Sequence, residues 1–148
     1  MRPLVLLLAF GCTFLAACTR DVDDLSYPVE PTLQLVQQSD TALRAFTDTL
    51  RLTLAYTDGD GDLGGLEPGV GLYVLDQRLT TPDRFALERL TPAGEELSIA
   101  GTFNVALGPY FVLGNAASEE FQLELWLTDR AGNESAHLTT SPLTVTEQ

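Results

Sequence analysis

Basic residues are scarce in this chain. It contains no lysine and eight arginines against 21 acidic residues, for a formal charge of −13. A surface of that sign repels nucleic acid and anionic membrane, which argues against both as partners. There is one histidine, His137, and no serine or cysteine stands out as its matched nucleophile. Nucleophilic catalysis needs such a base and an orienting group, so His137 reads as a surface residue. Both cysteines, Cys12 and Cys18, fall within the first 18 residues. The rest of the chain can form no disulfide and offers no thiol, and with a lone histidine it makes a poor zinc ligand set. No stretch keeps helical periodicity over ten residues, and the one strongly apolar run, residues 4–10, is too short to span a bilayer. Paired carboxylates can hydrolyse glycosides. Acids are so abundant here that pairing carries little information, and a small β-domain offers little cleft. The chain reads as non-enzymatic.

The N-terminus is a targeting segment. Arg2 supplies a positive start, an apolar run follows, and Leu15-Ala16-Ala17-Cys18 closes it with small residues before a cysteine, the pattern of a cleaved secretory signal. Those four residues resemble the lipobox of bacterial lipoproteins. The resemblance implies a signal peptide over 1–17, cleavage before Cys18, a thioether-linked diacylglycerol on Cys18 and an added acyl chain such as palmitate. Each buried CH₂ contributes about 0.8 kcal/mol to anchoring. After cleavage seven arginines face 21 acids, a balance of −14. Residues 18–30 read as a lipidated acidic tether, with Pro28 and no periodicity. Asp21, Asp23 and Asp24 resemble the acidic export signal of surface-exposed lipoproteins in Bacteroidota; a plain charged spacer is the alternative. The implied location is the cell envelope, at the outer membrane, with surface exposure where the acidic stretch acts as an export signal.

Residues 31–148 read as one all-β domain. The clearest strand is 49–57, with Leu50, Leu52, Leu54 and Tyr56 on one face and Arg51, Thr53 and Ala55 on the other. Period two with one apolar face marks a half-buried strand. Further strands are expected at 32–37, 71–76, 85–90, 97–107, 121–129 and 136–146, with 38–48 a polar connection. In 97–107 Leu97, Ile99, Phe103, Val105 and Leu107 are expected inward, and Gly101 marks a bulge or a close approach. Pro142 requires an edge or a bulge. Seven short strands with turns between them predict a seven-stranded, immunoglobulin-like antiparallel β-sandwich.

The chain is organised around Asp58-Gly59-Asp60-Gly61-Asp62-Leu63-Gly64, directly after the clearest strand. Glycine reaches φ > 0 without steric cost, so the loop can curl until its carboxylates converge. Calcium takes six to eight oxygen ligands. An EF-hand is excluded, because its sixth position requires glycine and its twelfth a bidentate glutamate, and Leu63 and Gly69 stand there. Strand alternation places this loop, the turn Asp129-Arg130-Ala131-Gly132-Asn133 and the loop bearing Glu95 and Glu96 at one end of the sandwich. Asp58, Asp60, Asp62, Asp129 and Asn133 are therefore the expected Ca²⁺ ligands. The alternative is a solvated acidic turn, since two carboxylates about 5 Å apart in water repel by only about 0.8 kcal/mol.

The stretch from Tyr56 to Gly64, followed by Thr128 to Ser135, resembles uncharacterised immunoglobulin-like lipoproteins of Bacteroidota. The resemblance implies a sandwich and an envelope location and supplies no activity. The leading expectation is a non-catalytic, lipid-anchored module, stabilised by Ca²⁺, that binds a protein or glycan partner or has a structural role. The other is a carbohydrate-binding accessory lipoprotein of a polysaccharide-uptake system, with Trp126 or Tyr110 as the stacking platform. Trp126 falls on the outward register of its strand, and Tyr110 leads an apolar loop that could equally plug the core.

Overall fold

The computed structural model describes residues 26–147. The signal peptide, Cys18 and most of the acidic tether lie outside the described residues. The described residues hold ten strands and no helix. These are β1 (Thr32–Gln38), β2 (Ala42–Arg44), β3 (Leu50–Asp58), β4 (Gly71–Asp76), β5 (Asp83–Phe85), β6 (Ile99–Leu107), β7 (Ser118–Phe121), β8 (Leu123–Thr128), β9 (Leu138–Thr139) and β10 (Leu143–Thr146). One sheet has the order β1-β3-β6. The others are β5-β4-β8-β9 and β2-β10-β7. Since β7 leads into β8 across one residue, and β9 leads into β10, the last two sheets follow one another along the same two chain segments. This is an all-β arrangement of packed sheets, consistent with a β-sandwich.

Ten strands replace the expected seven for two reasons. The expected strands at 121–129 and 136–146 are each split, and β2 forms inside the supposed polar connection. Pro142, which has no N–H to give, lies between β9 and β10. Side chains repair the ladder beside the breaks. The Leu123 N–H donates to Thr140 Oγ1 at 3.0 Å, and the Leu127 N–H donates to Ser135 Oγ at 3.0 Å. Ser135 is buried, so its loss leaves a buried donor without a partner. Ser135→Ala should lower unfolding free energy by about 1–2 kcal/mol in a urea titration. The expectation of a wholly antiparallel sandwich is also corrected: β2 runs parallel to β10. The chain leaves β1 for another sheet, and the Thr144 N–H donates to Thr41 O at 2.7 Å.

The core is built from leucine. Leu50, Leu52 and Leu54 of β3 alternate with Arg51, Thr53 and Ala55, and they pack in one cluster with Leu72, Leu123, Leu125 and Leu127. Each such side chain contributes roughly 1.5–3 kcal/mol by burial, which outweighs leucine's modest strand preference. Two further expectations are corrected, and an open alternative at Gly101 is decided. The strand expected at 85–90 is β5, at 83–85, and the chain after it runs irregularly past the acidic loop, where Leu87 O accepts from the Gly65 N–H at 2.9 Å. Leu97 is 48% exposed and not inward. Gly101 carries no bulge, since β3 and β6 pair without a register shift. It is a close approach: a Cβ there would meet the Tyr56 hydroxyl at 2.7 Å.

Candidate metal centre

The acidic stretch begins where β3 ends, and Asp58 is the last residue of that strand. The chain then turns through Gly61 (φ 69°) and Gly64 (φ 84°), a conformation that side chains rarely adopt. The loop is held from two sides. From one, the Thr91 hydroxyl donates to Gly61 O at 2.6 Å and the Leu97 N–H to Asp60 O at 3.2 Å. From the other, the turn after β8 sends the Ala131 N–H to Asp62 Oδ2 at 2.8 Å and Arg130 Nη1 to Gly64 O at 2.9 Å. The sequence placed the Asp58 loop and the Asp129 turn at one end of the fold, and these two bonds join them.

One carboxylate oxygen from each of Asp58, Asp62 and Asp129 lies within 4.8 Å of the others. Oxygens sharing one Ca²⁺ at 2.3–2.6 Å can be at most about 4.6–5.2 Å apart, so the spacing admits an ion. Asp58 is completely buried and Asp129 nearly so. Asp58 Oδ2 accepts from the Leu63 N–H at 2.8 Å. Its Oδ1 is buried with no hydrogen-bond partner, as are Oδ1 of Asp60 and Oδ1 of Asp62. Burial pushes the Asp58 carboxyl up to about 6, against the pull of the Leu63 amide and with added repulsion from Asp60, Asp62 and Asp129. Asp62 is also raised, first by burial, then by Asp129 and Asp60; the Ala131 amide and Arg130 act in the opposite sense.

Burial changes the energetic argument. In bulk water the repulsion between such carboxylates is slight. At an effective dielectric of about 20, two charges about 5 Å apart repel by about 3 kcal/mol. A buried carboxylate oxygen with no partner adds a desolvation cost. A cation among the three acids would remove both. The donors are all hard oxygens, which suit a hard divalent ion.

Two of the five expected ligands are not in this trio, although Asp60 brings a buried, unpartnered oxygen and repels both Asp58 and Asp62. Asp60 is not among the three converging residues. Asn133 instead closes its own turn, with its N–H donating to Asp129 Oδ1 at 2.7 Å and Nδ2 to Asp129 Oδ2 at 2.8 Å. Glu95 and Glu96 are exposed. The backbone amides of Leu63 and Ala131, which orient Asp58 and Asp62, carry no residue-type signal that a sequence could reveal.

The aromatic candidates are occupied. Trp126 is half-buried and stacks on Tyr73, its cross-strand neighbour in β4, at 5.2 Å between centroids. It also stacks on His137, which precedes β9, at 4.4 Å. Since β4 and β9 flank β8 on opposite sides, both faces of the indole are covered and neither is open to a sugar ring. His137 also meets Glu124 Oε1 at 2.7 Å. Tyr110 packs against the core beside Phe121, and burial raises its phenol above the usual range. That is the plug geometry, not a projecting platform. Among the described residues the three-acid centre is the one group of metal-ligating side chains gathered in this way. No family model, no curated protein and no solved structure matches this chain, so its function has to be argued from this centre.

Proposed function

We propose that the chain is a non-catalytic, lipid-anchored envelope protein whose immunoglobulin-like domain uses Ca²⁺ to lock one end, where it serves as a binding or structural module. The observation that carries the reading is Asp58: a fully buried carboxylate with one oxygen unpartnered, facing two more carboxylates. The immunoglobulin-like assignment is supported by the strand order β1-β3-β6 against β5-β4-β8-β9, with β2 parallel to β10. Lipidation at Cys18 rests on the lipobox residues, and the envelope location rests on the lipidation.

Asp58, Asp62 and Asp129 hold the ion, and main-chain carbonyls or water complete the six to eight oxygens it takes. The ion joins the end of β3 to the end of β8, strands of two different sheets. With no disulfide to restrain its loops, the domain gains a crosslink from the metal. The carbohydrate alternative has less support, because the Trp126 faces are covered and Tyr110 is packed inward.

Titration calorimetry on residues 19–148, after chelator treatment, tests the metal. Ca²⁺ should bind at one site. At a free concentration 100 times Kd it should stabilise the fold by about 2.7 kcal/mol. Mg²⁺ should bind more weakly, since it demands near-ideal octahedral geometry. No heat with millimolar Ca²⁺, together with an unchanged melting temperature, would end the proposal.

A further inference from the structure

β6 is an outer strand with one side open. It pairs with β3 only, and among the described residues no other backbone hydrogen bond involves Ile99–Leu107. In an antiparallel ladder alternate residues turn their N–H and C=O away from the partner. About half of the backbone polar groups of β6 therefore point along a free edge, which is a template for another strand. Protein edges are ordinarily blunted by shortness, a bulge, proline or charge. β6 has nine residues, pairs with β3 without a register shift, and contains neither proline nor a charged side chain. Among the described residues the other edge strands are short or irregular: β2, β7 and β9 have three, four and two residues. β1 shifts register between Leu35 and Gln37, and β5 is three residues long and carries Asp83 and Arg84.

Charge selects the occupant. From Leu97 to Ser118 there are 22 consecutive residues without Asp, Glu, Arg or His, in a chain of formal charge −13. Two copies meeting strand to strand along this stretch set no charge of the stretch itself against another. The side chains of Ala100, Thr102, Asn104 and Ala106 are small, neutral and exposed, so a second strand can lie flush. An antiparallel copy centred on Phe103 sets Ile99 opposite Leu107. It also brings Leu97, 48% exposed just before the strand, toward the neutral segment that follows the partner strand.

We infer that β6 pairs with β6 of a second copy, antiparallel about a twofold axis, joining two three-stranded sheets into one of six strands. Sedimentation equilibrium on residues 19–148, which contain every described element, should show a monomer–dimer equilibrium within about 1–500 µM. Thr102→Asp places two like charges across the axis and should raise the dimer Kd about tenfold or more. Thr80→Asp adds the same charge in an exposed turn and should leave the Kd unchanged. In the unaltered chain, amide exchange across residues 99–107 should slow as concentration rises. A monomer throughout that range overturns the inference. So does a dimer indifferent to Thr102→Asp whose β6 exchange does not depend on concentration.

Discussion

In the presence of EDTA the domain should be more stable at pH 4.5 than at pH 7.5, by about 2 kcal/mol from one carboxyl alone. The cause is Asp58. Its carboxyl is raised from 3.8 to about 6 in the folded chain, so between those values the folded state binds more protons than the unfolded state. Unfolding free energy therefore falls as pH rises through that window and levels off above it. The whole shift corresponds to about 3 kcal/mol, of which about 2 kcal/mol is gained between pH 7.5 and pH 4.5 and the rest below. Asp62, raised by the same burial and by Asp129 and Asp60, contributes in the same direction. Two exposed groups oppose this: Asp48, hydrogen-bonded to Arg44, and Glu67, which accepts from its own backbone amide and lies near Arg89, are held below the usual range, and what they contribute starts to be lost as pH falls through the ordinary carboxylate range. Saturating Ca²⁺ should invert the profile, because protons then compete with the ion for the same oxygens. Asp58→Asn isolates the effect. Its amide oxygen can still accept from the Leu63 N–H, and its NH₂ can donate to the neighbouring carboxylates. The variant should be more stable than the unaltered chain at pH 7.5 in EDTA, should keep only the shallower fall from pH 4.5 to 7.5 that Asp62 supplies, and should be unresponsive to Ca²⁺. Urea titrations at both pH values decide this. A profile already flat in the unaltered chain would mean that Asp58 is solvated and that the acidic loop needs no ion.

The pairing of the two acidic segments was legible because Asp58 and Asp129 each follow an alternating strand, and strand direction then fixes which ends meet. Which of the acids converge was not. An Asp-Gly-Asp-Gly-Asp spacing puts alternate acids on one face only if the chain stays extended. Here Gly61 turns the chain at φ 69°, and Asp60 engages the neighbouring loop through its carbonyl. Residues 85–90 start with strand-like alternation at Phe85 and Leu87, yet the Leu87 carbonyl is taken by the Gly65 amide and Leu87 itself packs against the core. Tertiary contact overrode the local pattern there. β2 has no pattern of its own over three residues, and it becomes a strand because β10 lies beside it. The stack Tyr73–Trp126–His137 depends on a register between three chain segments, which periodicity within any one of them does not contain.

Gly61→Ala should cost about 2–4 kcal/mol of stability and most of the Ca²⁺ response. Gly61 sits at φ 69°, and a Cβ there would collide with the Leu97 carbonyl oxygen and lie 2.7 Å from Thr91 Cγ2. Neither neighbour can retreat cheaply. Leu97 is tied to the loop by its own N–H on Asp60 O, and Thr91 by its hydroxyl on Gly61 O. Relieving the clash means lifting the acidic loop off the segment after β5, which also displaces Asp62 from Asp58 and Asp129. Gly69→Ala is the internal control. Gly69 has φ 91° in the same connection, with nothing within 4 Å of its would-be Cβ, so the variant bears backbone strain alone, about 1 kcal/mol. It should keep its Ca²⁺ affinity. The difference between the two variants measures the close approach with conformational preference subtracted. Equal losses in urea would mean that the loop is not wedged against its neighbour. A Gly61→Ala protein that is less stable yet binds Ca²⁺ as tightly as the unaltered chain would mean that the ion, not the glycine contact, positions the carboxylates.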